Sequence, residues 1–106
     1  MTTFDKREEA FEKRFALDEE EKFKAVARRN RMLGQWAAEK LGKSGGEADA
    51  YARDLVSAEF DGGDDSVVRK VLADIAAKGG TATETDVRAK MDELLAVAAA
   101  QVKAGT

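Results

Sequence analysis

The sequence predicts an all-α protein, a four-helix bundle with a flexible, partly helical N-terminal arm. Three observations carry that expectation. Of the 106 residues, 43% are apolar, many of them Ala, 37% are charged and none is Pro; strong helix formers dominate and the strongest breaker is missing. Apolar residues recur at three- and four-residue steps, and no segment shows the alternation of a strand. Glycines punctuate the chain at Gly42-Lys43-Ser44-Gly45-Gly46, Asp61-Gly62-Gly63 and Gly79-Gly80, and a glycine after a periodic run is a common helix stop. The expected division is an arm over residues 1–18 and a bundle over 19–106. Its helices fall at about 22–41, 47–60, 66–78 and 84–103, joined by short links that favour antiparallel neighbours.

The arm comes first. Phe4, Phe11 and Phe15 lie within roughly 40° of one another at about 100° per residue, so they form one narrow strip. Around them the segment is densely charged, and Asp18-Glu19-Glu20-Glu21 interrupts the stripe before the body begins. Isolated helices this short are marginal in water. Residues 1 to about 18 are therefore expected to be frayed in the free protein and helical on a partner. Two destinations for the aromatic strip stay open on the residues alone: a groove on another protein, or the chain's own core.

In the first body helix, Phe23, Val26, Ala27, Leu33, Ala37 and Leu41 define the buried face, with Met32 and Trp36 widening it. Asn30 projects near the centre of that face, where an amide needs hydrogen-bond partners. The second helix opens on Ser44-x-x-Glu47, the pattern of a capping box, and buries Ala48, Tyr51, Ala52, Leu55 and Val56 up to Phe60. The third begins after Asp64, Asp65 or Ser66 as cap and carries the stripe Val67, Val68, Val71, Leu72, Ile75 and Ala76. The fourth starts near Thr83, with Asp86 three residues on, and turns Val87, Met91, Leu94, Leu95, Ala98 and Val102 inward.

Charge and composition exclude several functions. The net charge is −3, all of it within residues 1–22, and the remainder balances, so there is no bulk positive field for nucleic acid. No apolar run approaches the roughly 20 residues of a membrane span, and the charged start has no signal-peptide core; a cytoplasmic location is expected. The chain has neither Cys nor His, which removes thiolate chemistry, the usual general base and the commonest metal ligands. No catalytic constellation, cofactor site or metal site is expected, and neither Gly62-Gly63 nor Gly79-Gly80 precedes the Lys-Ser/Thr of a phosphate loop.

One basic cluster remains: Lys22, Lys24, Arg28, Arg29 and Arg31 beside Phe23 and Trp36. The favoured reading is a solvated helix face, paired at i,i+4 spacing with Asp18 to Glu21. The competing reading is a contact for a phosphate-bearing ligand, an adenine nucleotide at Arg28, Arg29 and Arg31.

A longer pattern then decides between broad classes. Met1-Thr2-Thr3-Phe4-Asp5-x-Arg7-Glu8-x-x-Phe11-Glu12, Phe23-Lys24-Ala25, Ala27-Arg28-Arg29-Asn30, Trp36-Ala37-Ala38-Glu39-Lys40-Leu41-Gly42 and Lys90-Met91-Asp92-Glu93-Leu94-Leu95-Ala96-Val97-Ala98 together resemble the zeta-subunit family. Its members are small inhibitor proteins of the alphaproteobacterial F-type ATP synthase. The resemblance implies a four-helix bundle with a mobile inhibitory segment that enters a catalytic alpha/beta interface of the ATPase head and reaches toward the central gamma subunit. There it becomes helical and blocks hydrolysis, so that loss of the proton gradient does not drain ATP. Carried over by position, Phe4, Asp5, Arg7, Glu8, Phe11, Glu12 and Phe15 are the candidate partner contacts. The implied location is cytoplasmic, at the inner membrane through the ATP synthase and without insertion of its own. The alternatives are a helical sensor of adenine nucleotide and a generic helical adaptor.

Overall fold

The computed structural model describes residues 15–106. Among them the chain is all-helical and has three helices: α1 (Glu19–Lys40), α2 (Gly45–Ala77) and α3 (Glu84–Ala104). The expected count of four is thus not met. The segments expected at 47–60 and 66–78 are one element, interrupted by non-helical backbone at Gly62 (φ −157°, ψ 16°) and Gly63 (φ 73°, ψ −162°). The positive φ at Gly63 is a conformation that a side chain would strain. Glycine therefore bends the chain here without a connecting loop.

The acidic run that breaks the apolar stripe is the start of α1. Asp18 Oδ1 accepts from the Glu21 amide at 2.8 Å, and Glu21 Oε1 accepts from the Asp18 amide at 3.2 Å. This is a complete capping box, and Glu19, Glu20 and Glu21 all occupy the positive end of the helix dipole. The helix begins three residues earlier than its apolar period suggests for this reason. At α3 the expected cap forms, with Thr83 Oγ1 accepting from the Asp86 amide and Asp86 Oδ2 from the Thr83 amide, both at 3.1 Å. The box expected at Ser44 does not form: its side chain makes no capping hydrogen bond. Gly45 takes φ +55°, which distorts the first turn, and the Glu47 carboxylate lies 3.9 Å from Lys43 Nζ.

Helix α1 packs against both α2 and α3, which meet each other over fewer residues. The larger core joins Leu33, Ala37 and Leu41 of α1 to Tyr51, Leu55, Val67, Val68, Val71 and Ile75 of α2 and to Val87 and Met91 of α3. A smaller one at the other end of α1 is built on Ala25, Ala98 and Ala99. Where α1 crosses α2 the backbones nearly touch. A Cβ at Gly34 would lie 2.4 Å from Ala52 Cα, so Gly34 and Ala52 set the interhelical distance.

Three expected core positions are instead on the surface: Phe23, Phe60 and Ala76 are exposed. Phe23 shares a strip of α1 with buried Asn30 and Ala37 at seven-residue steps. It lies one turn from the start of the helix, against the end of the α2 segment that precedes the Gly62-Gly63 break. The ring of Phe60 lies against it, and both remain exposed.

Candidate partner-binding end of the bundle

At the start of α1 the chain preceding the helix is fastened to the end of α3. Phe15 and Leu17 pack with Met32, Leu95 and Val102 around Ala25, Ala98 and Ala99. Lys103 Nζ reaches Glu21 Oε2 at 3.3 Å and the Ala16 carbonyl at 3.5 Å, while Ala16 itself takes a positive φ of 50°. Phe15, expected among the partner contacts, is half-buried against its own body. Phe4, Asp5, Arg7, Glu8, Phe11 and Glu12 lie outside the described residues.

The three arginines considered for nucleotide do not converge. Arg28 donates from Nη1 to Gln101 Oε1 at 3.2 Å and from Nη2 to the Thr106 carbonyl at 2.9 Å, so it ties α1 to the end of α3. Arg31 is exposed. Arg29 points the other way and is only 3% exposed. Its Nη2 donates to Glu59 Oε1 at 2.8 Å and to Asp64 Oδ1 at 2.6 Å, its Nη1 to Asp64 Oδ2 at 3.3 Å, and its Nε to Asn30 Oδ1 at 3.0 Å. Asn30 Nδ2 donates in turn to Glu59 Oε1 at 2.9 Å, which supplies the partners that a buried amide requires.

Glu59 precedes the Gly62-Gly63 break and Asp64 follows it. One guanidinium from α1 therefore clasps both sides of the bend in α2. Asp64, expected as a cap, serves here as an Arg29 acceptor. An arginine suits this position because its planar fork can address two carboxylates at once.

The two carboxylates titrate in opposite senses. Burial first, and then the neighbouring Asp64, push Glu59 up to about 7, against the pull of Asn30 and Arg29. Burial would also raise Asp64, but hydrogen bonds from Arg29 and Glu59 outweigh it and hold Asp64 below its ordinary value. A carboxylate with a raised folded-state pKa contributes stability that is complete below its unfolded value of 4.5 and disappears as pH rises through about 7. The opposite dependence, from Asp64, falls below its ordinary 3.8. With no His in the chain, Glu59 should dominate from about pH 5 to about pH 8. The melting temperature should therefore decline across that window, and Glu59→Gln should flatten the decline. Parallel pH profiles for the two proteins would refute this account.

A shallow groove of about 380 Å³ opens between the end of α1 and the start of α3, lined in part by Trp36, Ala82, Asp86 and Glu93. Lys40 and Lys90 sit over the Trp36 ring, at 4.9 and 5.9 Å from its centroid. The groove carries both signs of charge, so it selects no ligand charge. Among the described residues no group of His, Cys, Asp or Glu is arranged to hold a metal ion, and no helix is long and apolar enough to cross a membrane.

Comparison with known families gives this small helical body a place. The family model for ATPase inhibitor subunit zeta matches residues 1–101. The chain belongs to the ATPase inhibitor subunit zeta family. A protein solved by solution NMR is similar to it, with 49% identity and a TM-score of 0.67 over 79% of this chain and 96% of that one. No individually curated protein matches at a significant level. Membership assigns the chain to the regulatory, non-catalytic inhibitor subunits of ATP synthase. The zeta match includes the arm as well as the body, whereas the described helices account for the body alone.

The sequence reading missed the Arg29 clasp, and one signal for it was available. Arg29 lies on the i,i+4 row Ala25, Arg29, Leu33, Ala37, Leu41, where every other member is apolar. A charge placed on the buried ridge of a helix has to be paired, so a lone arginine in that row points to carboxylate partners elsewhere in the fold.

Proposed function

We propose that this zeta-family chain inhibits ATP hydrolysis by F-type ATP synthase through its N-terminal segment, which inserts as a helix at a catalytic alpha/beta interface and reaches toward the gamma subunit. Support comes foremost from the family match, which runs through the arm to residue 101. The root of the arm is also suited to the task. Phe15, Leu17 and the Lys103 contacts hold the chain to the body, so a load on the arm is passed to a folded anchor. Phe4, Asp5, Arg7, Glu8, Phe11 and Glu12 are the proposed contacts on the head. Phe15 is assigned to the root, because its ring already has a half-buried place there. Aromatic rings supply buried area in a closing cleft, and charged neighbours match its polar walls. The corresponding location is the cytoplasmic face of the inner membrane, held there by the ATP synthase.

The nucleotide-sensor reading gains nothing from the geometry, because Arg28 and Arg29 are engaged in different directions. Deleting residues 2–14 should abolish inhibition of ATP hydrolysis by the isolated ATPase head. Circular dichroism should show the helices of the body retained. Inhibition that survives the deletion would overturn the arm mechanism.

A further inference from the structure

We propose that the Phe23–Phe60 pair is a second contact of this protein on the catalytic head of ATP synthase, docking the folded body while the arm enters the cleft; this rests on the inhibitory reading above.

The pair has the features of a binding anchor. Phe60 is 70% and Phe23 57% exposed, the two most exposed large apolar side chains among the described residues. They come from different helices, yet their ring centroids are 5.7 Å apart with the planes inclined at 55°. An exposed aromatic cluster without a ligand is unfavourable in water and marks an interaction surface more often than a scattered single residue does. Phe23 also continues the strip of α1 that is buried at Asn30 and Ala37, so the helix presents its core-facing side to solvent at this one end.

The position of the pair is fixed before binding. Phe60 follows Glu59, which Arg29 and Asn30 hold, and Phe23 lies one turn inside the capped start of α1. The backbone that carries both rings is held in helix before binding, so little backbone freedom is lost on association, which favours affinity. Around the rings stands a charged rim: Lys24 pairs with Glu20 at 3.3 Å, and Asp61 is exposed. An apolar centre inside a polar rim is the usual anatomy of a protein contact.

Continuity with the arm selects the ATPase head as occupant. The arm joins the body at Phe15, four residues before α1 begins at Glu19, and Phe23 is in the first turns of that same helix. Fourteen residues bound as a helix extend only about 21 Å, so a protein that takes the arm must approach this end of the body. The arm root lies on the α3 side of α1 and the phenyl pair on the α2 side. Together they flank the end that such a partner meets.

The test compares the full chain with its Phe23→Ser/Phe60→Ser variant as inhibitors of ATP hydrolysis by the isolated head, with thermal denaturation of both. The expected result is a half-inhibitory concentration raised about tenfold or more, as for loss of a paired aromatic anchor, with the melting temperature unchanged. If the double variant melts lower, Phe60→Lys replaces it, since that position is the more exposed. Equal inhibition by wild type and variant overturns the docking contact and leaves the arm mechanism standing. Stronger inhibition by the variant also overturns it, and shows that the pair covers the chain's own arm. Loss of a wild-type dimer in sedimentation, without loss of inhibition, overturns it in favour of a second copy. A wild-type chain that does not inhibit at all removes both proposals together.

Discussion

Arg29→Met should lower the melting temperature by roughly 15 °C or more, because breaking a buried ion pair costs about 3–5 kcal/mol in a domain of this size. The loss is not mainly that of the attraction itself. Asp64 would keep its charge without the guanidinium that it addresses across the bend of α2, and Glu59, already raised to about 7, would be pushed further toward its protonated form. Asn30 would lose the donor to its Oδ1 while remaining fully buried. Methionine keeps most of the packing volume, so the change isolates the electrostatic part. Combining Arg29→Met with Glu59→Gln should cost clearly less than the two single losses added together, since residues sharing one network are coupled. Strict additivity in thermal melts followed at 222 nm would dispose of the clasp as a unit.

Substitution of Gly34 is expected to be nearly as damaging, for a steric reason. Alanine is favoured over glycine inside a helix by roughly 1 kcal/mol, so propensity alone makes Gly34→Ala stabilising. The new Cβ would stand 2.4 Å from Ala52 Cα and 3.1 Å from Ala52 N, and backbone atoms have no rotamer in which to escape. Helices α1 and α2 would have to separate, uncovering Leu33 and Leu55, both fully buried. Overpacking of a tight core costs about 1–3 kcal/mol and occasionally more. Gly34→Ala should therefore lower the melting temperature despite its propensity, and Gly34→Leu should lower it much further. A Gly34→Ala protein that melts higher than wild type would mean that the crossing has slack.

These two residues show where the fold could be read from the chain and where it could not. The periodic apolar runs made the all-helical class legible and the Thr83 cap made the start of α3 legible, because both are local: a stripe and a cap depend on neighbours three and four residues away. Asp18 to Glu21 was equally local, but its acidity looked like an interruption when it is the cap of α1. The bend at Gly62-Gly63 was visible as a break and not as the continuation of one element.

Arg29 and its neighbours Arg28 and Arg31 look alike in sequence. The apolar row Ala25, Leu33, Ala37 and Leu41 sets Arg29 apart, but its partners are carboxylates 30 and 35 residues away, which no local pattern identifies. Phe23 and Phe60 raised the converse problem. Their spacing belongs to a core face, yet at this end of the bundle the two rings meet each other and stay exposed. Of the candidate site, Phe15 is the one residue that the structure describes, partly buried against Ala25, Ala98 and Ala99. Of the other six, Phe4 and Phe11 stand out by their helical spacing, Asp5, Arg7, Glu8 and Glu12 are candidates only through the resemblance to the zeta family, and all six lie outside the described residues.

The two extremities of the described chain meet. Arg28 holds the Thr106 carbonyl, and Lys103 holds both Glu21 and Ala16. Because the protein has no cysteine, Thr106→Cys would accept one dye at a unique point beside the departure of the leading segment. Its brightness would report engagement with the enzyme as it happens. A bulky fusion partner placed there would obstruct the same approach.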